Sequence, residues 1–211
     1  MKKKYLITIG LGFLLLPLLI CVISFLPKRR PDVSLGTLLM SESIPIQQWN
    51  TGTGTVSVNW QINKNSFSLK DDNAFYSISN LGRIWTDGNN INPRLAEHIF
   101  QYKNPVTAML HYWLSRPEIA YRNDWPNFTD LENQQALYPI NWRFDNSHAD
   151  QENIVCAMGV PTSCQTLYYW ARYGQYILLV EFFAPNEGID VLTFQKIVER
   201  MDFYIGQQLE N

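Results

Sequence analysis

The chain is short of the residue types that most chemistry uses. It has three histidines, His98, His111 and His148, and three cysteines in 211 residues. No GxSxG elbow, HExxH pair, Walker loop or GxGxxG fingerprint occurs, so the common hydrolase, zincin and nucleotide-binding signatures are missing. There is no internal repeat, no low-complexity tract and no long charge run, which argues against a solenoid or a disordered tail. A basic excess is missing too. Six of the 17 Lys+Arg residues lie in the first thirty, leaving 11 against 19 Asp+Glu, a net charge of −8 beyond residue 30. Nucleic-acid binding needs basic side chains to release counterions from phosphate, so no nucleic-acid partner is expected.

What is present begins with one long apolar run. Tyr5 to Leu26 is 22 residues without a charge, between Lys2–Lys4 and Lys28–Arg30. As a helix it would be about 33 Å long, enough for a hydrocarbon core of about 30 Å. The exit SFLPKRRPD has no small-residue cleavage pattern, and Cys21 follows Leu-Leu-Ile rather than a lipoprotein motif. An uncleaved anchor is therefore expected over residues 1–30, spanning once. The basic flanks are nearly balanced, and the terminal amine tips the bias toward an N-terminus in the cytoplasm and a main domain outside.

That placement decides how Cys156 and Cys164 are read. They are the only cysteines beyond the apolar run, with seven residues between them in CAMGVPTSC. An extracytoplasmic pair reads as a disulfide. Zinc would want a second pair, and a redox motif would want two intervening residues. Gly159 and Pro161 between them suggest a loop pinned at its base.

Residues 31–54 lack strong periodicity and read as a tether, leaving 55–211 as one domain. In TVSVNWQI, Val56, Val58 and Trp60 alternate as in a half-buried strand. Short strands are expected at 75–79 and 82–85, with Asp87-Gly88 turning the second, and strand is preferred at 95–102, where a helix started by Asn92-Pro93 also fits. Asn104-Pro105 is a helix start, and Pro117 is its stop. Near the C-terminus two strands meet at Tyr173-Gly174. In the second, Tyr176, Leu178, Val180 and Phe182 share one face and Ile177, Leu179, Glu181 and Phe183 the other. Both faces are largely apolar, so this strand should be central and covered on both sides. Asp190 can cap a helix to about Gln208, with Val191, Phe194, Val198, Met201 and Ile205 inward and Leu192 and Ile197 beside them. The fold class is α+β: an antiparallel sheet with two or more helices packed on one face.

Candidate sites are few. Asp145, His148, Asp150 and Glu152 place three carboxylates and an imidazole within eight residues, a composition that can bind calcium or manganese. EF-hand spacing is absent, and a solvated loop is the plainer reading. Tyr138, Trp142, Tyr168, Trp170 and Tyr173 belong to an aromatic cluster that could present a platform to a peptide, protein or carbohydrate, though an aromatic core explains it as well. Asn127-Phe128-Thr129 is a glycosylation sequon. No cofactor is indicated. The function expected is a membrane-anchored binding, sensing or interaction domain. The alternative is an anchored hydrolase or metal-dependent enzyme using Asp145, His148 and Asp150.

Overall fold

The computed structural model describes residues 27–39, 48–51, 54–67, 77–88, 90–114, 138–140, 144–160, 163–185 and 188–210. Among these, the elements in chain order are helix α1 (Leu35–Leu38), strands β1 (Gln48–Thr51), β2 (Gly54–Ser57), β3 (Trp60–Phe67), β4 (Ser79–Asp87) and β5 (Asn90–Gln101), helix α2 (Pro105–Leu114), strands β6 (Tyr138–Ile140), β7 (Gln151–Val160), β8 (Ser163–Tyr173) and β9 (Tyr176–Phe183), and helix α3 (Val191–Glu210). The run Tyr5–Leu26, Trp142 and the sequon Asn127-Phe128-Thr129 lie outside the described residues. Among the described residues no helix is long and apolar enough to cross a membrane.

The fold is an antiparallel sheet with a few helices. Seven strands run in the order β3-β4-β5-β9-β8-β7-β6, and β1 and β2 form a separate two-stranded ribbon. Every pairing within the large sheet is antiparallel. β9 is the fourth strand of seven, and its two apolar faces are both covered, as its alternation predicts. On one face Tyr176, Leu178, Val180 and Phe182 join the main core with Leu167, Tyr169, Ala171 and Tyr173 of β8. Ile177, with Trp170 of β8 and Phe100 of β5, joins a second core on the other face. The α3 residues Phe194, Ile197, Val198, Met201 and Ile205 belong to the first core, while Ala108 and Tyr112 of α2 belong to the second. The two long helices therefore cover opposite faces, and the expectation of helices on one face is corrected. A sheet whose central strands are apolar on both sides needs cover on both sides.

Each of the two long helices begins where a side chain meets the open N–H groups of a first turn. Asn104 Oδ1 accepts from Thr107 N at 2.9 Å ahead of Pro105. Asp190 Oδ1 accepts from Thr193 N at 2.9 Å and starts α3. Leu192 is a second correction. It points to solvent at 69% exposure, while Ile197 is buried.

Two predicted strands are redrawn. TVSVNWQI is divided at Val58-Asn59, where Asn59 N donates to Asp87 Oδ1. The first half pairs with β1 and the second with β4. Of the strand expected at 75–79, residues 75 and 76 lie outside the described residues, 77 and 78 are not in a strand, and β4 starts only at Ser79. The expected tether behaves differently from its composition. Leu38, Leu39 and Trp49 are buried in the main core, with Val33 and Leu35 packed against it. Trp49 stacks near Trp60, meets Phe182 edge-on and donates through Nε1 to Gly188 O at 3.0 Å. An extended strap with one helical turn has no sustained period, although its apolar side chains close the α3 side of the core.

Candidate functional site

Cys156 and Cys164 are placed as a disulfide pair with their Cα atoms 5.9 Å apart. Residues 157–160 of the segment between them are strand rather than loop. β7 continues to Val160 and β8 resumes at Ser163, with register shifts at Met158. The bridge thus staples the end of a bulged hairpin. Beside it, Cys164 pairs through its backbone with Ile189, which ties the hairpin end to the lead-in of α3.

The acidic loop before β7 does not gather its charges at one point. Asp145 is exposed in a turn. Asp150 turns toward the β8–β9 turn: its Oδ2 accepts from Gly174 N at 2.6 Å and faces Arg172 Nη1 at 3.0 Å. His148 packs on α3. Its backbone N–H donates to Asp202 Oδ2 at 2.9 Å, and its ring Nδ1 lies 2.9 Å from Glu210 Oε1. Glu152 points into the interior, accepting from Phe144 N at 3.2 Å, Ser147 Oγ at 3.0 Å and Tyr169 OH at 3.1 Å. Among the described residues no three His, Cys, Asp or Glu side chains are grouped to hold a metal ion. The near-continuous spacing of these residues does not bring them together, because the loop sends successive side chains to different elements.

A polar network that the sequence reading missed lies where this loop meets α3. Asp202 Oδ1 accepts from Tyr173 OH at 2.8 Å, and Tyr169 OH is 3.5 Å from Tyr173 OH. Ser147 Oγ sits between the two carboxylates, 3.0 Å from Glu152 and 3.4 Å from Asp202. Burial raises the Glu152 carboxyl, and bonds from Ser147, Phe144 N–H and Tyr169 oppose that rise. Burial also lifts Tyr169 and Tyr173 well above their ordinary range, so both hydroxyls stay protonated and can donate. The network is saturated by its own members. Its effect is to clip the 144–150 loop onto α3. One signal was available: Asp202 and Gly206 both fall on the apolar stripe of α3, where a lone acid or a missing side chain implies a specific contact. Gly206 leaves room for the His148 ring, since a Cβ there would stand 2.1 Å from His148 Cγ.

Three of the five platform aromatics are core. Tyr168, Trp170 and Tyr173 are 6%, 0% and 1% exposed, which corrects the exposed platform. β8 lies beside the central strand and is covered on both faces, so alternation buries every one of its rings. Trp170 Nε1 donates to Tyr112 O, and its ring stacks on Tyr112. Tyr138 begins β6 at the sheet edge. Of the histidines, His98 is buried against Phe100 with Nε2 3.2 Å from Asn80 Oδ1, and His111 stacks on Tyr102. Burial lowers His98 to about 4 and also lowers His111.

The second unforeseen feature is where the chain enters the domain. Arg30 N donates to Gln175 Oε1 at 2.9 Å, and Gln175 Nε2 donates back to Arg30 O at 2.8 Å. Val33 N donates to Tyr176 OH at 2.9 Å. Arg30 Nη2 reaches His148 O at 3.0 Å and Asp150 Oδ1 at 3.4 Å. Gly174 has φ 59° and a strap directly over it, so a Cβ would meet Arg30 Cγ at 2.7 Å. Residues expected only to flank an anchor therefore seal the turn between the two central strands.

No family model matches this chain. No curated protein or solved structure matches it either. Its function is therefore argued from its own residues.

Proposed function

We propose that this chain is a single-pass membrane protein of the cell surface. Tyr5–Leu26 spans the bilayer, the N-terminus faces the cytoplasm, and the α+β domain stands outside, where it serves binding, sensing or interaction with a protein, peptide or carbohydrate. The observation that carries the reading is the Cys156–Cys164 pair. Such a staple persists in oxidising compartments and is rare where glutathione keeps thiols reduced. The charge-free run with basic flanks supports the anchor. The separate fates of Asp145, His148 and Asp150 give a metal-dependent or hydrolytic reading less support than a binding one.

The test uses the full chain in intact cells. An alkaline wash should leave it in the membrane fraction, and external protease should digest the domain without lysis. A membrane-impermeant maleimide should label Cys156 and Cys164 only after an external reductant is added. Release by the wash would refute the anchor. A protected domain with two thiols that label only after lysis would reverse the orientation.

A further inference from the structure

We propose that α2 is a membrane-contacting helix, seated by its outward apolar stripe and neighbouring basic residues on an anionic bilayer surface. The inference rests on the anchor reading above. Val106, Leu110, Trp113 and Leu114 are 40%, 54%, 45% and 66% exposed. They follow the spacing of one helix stripe, while Pro105, Ala108 and Tyr112 face inward. Apolar residues on both sides of a ten-residue helix are unusual for an element that meets only water.

The position of α2 names the partner. Tyr102 N donates to Gln175 O at 2.8 Å, and Gln175 is the residue that grips Arg30. Arg29 Nη1 lies 3.4 Å from Lys103 O, at the foot of α2. Arg29 and Arg30, the basic residues that follow the apolar run in sequence, therefore lie beside the start of this helix. The helix also stays at that end of the sheet. His111 stacks on Tyr102 with ring centroids 5.0 Å apart, so the later turn of α2 lies close to the residue just before its start. It crosses from β5 toward β8, where Tyr112 meets Trp170, rather than running up the strands.

Charge agrees with position. The chain beyond residue 30 is acidic, yet Lys28, Arg29 and Lys103 are exposed beside α2, and nearby Asp32 is bonded to Arg29. The exposed acids Asp145 and Glu210 belong to the opposite, α3 side. A short apolar stripe binds lipid only marginally alone, but a transmembrane segment a few residues away holds it at high effective concentration.

The experiment places a nitroxide on the full chain at Leu110→Cys, and separately at Leu192→Cys on α3, in a Cys21→Ser background. The protein is reconstituted in vesicles of phosphatidylcholine and phosphatidylserine. Power saturation compares collision with oxygen, which concentrates in lipid, and with a nickel chelate, which stays in water. The label at 110 should favour oxygen and the label at 192 the chelate. Leu110 and Leu192 are both exposed, so neither substitution touches the core. Flotation after an alkaline wash is run in parallel. A chain that floats while both labels favour the chelate overturns the α2 contact and leaves the anchor standing. A label at 110 shielded from both reagents means protein covers the stripe, which also overturns it. A chain that does not float overturns both readings.

Discussion

Gly206→Ala should reverse the usual effect of replacing a helical glycine. In an ordinary helix the change stabilises by about 1 kcal/mol, because glycine has more backbone freedom to lose. Here the new Cβ would stand 2.1 Å from His148 Cγ and 2.4 Å from Nδ1. Carbon atoms rest at about 3.5 Å or more, so the ring must move by roughly 1.4 Å. It has little freedom to do so. The His148 N–H is bonded to Asp202 and the ring to Glu210, and Arg30 reaches the His148 carbonyl. Overpacking of this kind costs about 1–3 kcal/mol, and the rigid surroundings favour the upper half of that range.

The discriminating assay is a double-mutant cycle with His148→Ala. That variant alone should lose about 1–2 kcal/mol of packing and hydrogen bonding. Adding Gly206→Ala to it should then stabilise by about 1 kcal/mol, because the obstruction is gone. The coupling would be about 3 kcal/mol, with a change of sign between backgrounds. Urea unfolding of the full chain in detergent micelles, followed by tryptophan fluorescence, measures all four corners. Equal effects of Gly206→Ala in both backgrounds would show that the 144–150 loop is not locked on α3 and would refute the reasoning.

Other expectations follow from single groups. His98 is held near 4 against an ordinary 6.5, so the unfolded chain takes up the proton first; stability is full above pH 6.5 and falls by about 3 kcal/mol as pH drops toward 4. His98→Gln should flatten that slope in acid titrations of the unfolding midpoint, and an unchanged slope would assign it elsewhere. Glu152 acts with the opposite sign. Its raised carboxyl favours folding while protonated and loses that contribution as pH rises, so Glu152→Gln should reduce this second dependence. Reducing Cys156–Cys164 opens the loop that the bond closes in the unfolded chain and should cost roughly 2–3 kcal/mol, read from melts with and without reductant. Asp150→Ala leaves the buried Arg172 guanidinium without its carboxylate and should cost about 2–4 kcal/mol; a loss under 1 kcal/mol would mean that Gln151 and the Gly174 carbonyl suffice.

The parts of the fold with a clean period were legible. Alternation in β8 and β9, the Tyr173-Gly174 turn and the stripe of α3 each encode one local geometry, and the structure keeps them. The pattern of β9 also held the correct answer on sheet cover, because two apolar faces need two covering layers. What failed depends on tertiary partners. Val33, Leu35, Leu38 and Leu39 have no shared period because they serve a sheet face and a helix at once. The acidic loop looked like one site because its residues are adjacent in sequence, yet each finds a different element. Asp202 lies 50 residues beyond Glu152, and only the packing of α3 on β8 brings them to one hydroxyl.

The strap changes what an anchor could transmit. A loose tether would let the domain swing independently of a membrane helix. Instead, Gln175 holds the backbone of Arg30 by both its N–H and its carbonyl, much as a neighbouring strand would. Tyr176 holds Val33 two to three residues on, and both grips come from the turn joining the two central strands. The exit point is thus fixed to the middle of the sheet. Gln175→Ala should release it while sparing the core, since Tyr176 still closes the main cluster. Two backbone groups would lose their partners, a cost of about 2 kcal/mol at the usual value of a hydrogen bond. The specific signature is geometric. Nitroxides at Lys28→Cys and Phe203→Cys, both at exposed positions, should give a narrow distance distribution in the Cys21→Ser chain and a broad one after Gln175→Ala. A distribution equally broad in both would mean that the strap does not restrain the exit, and that the domain moves independently of any segment preceding Pro27.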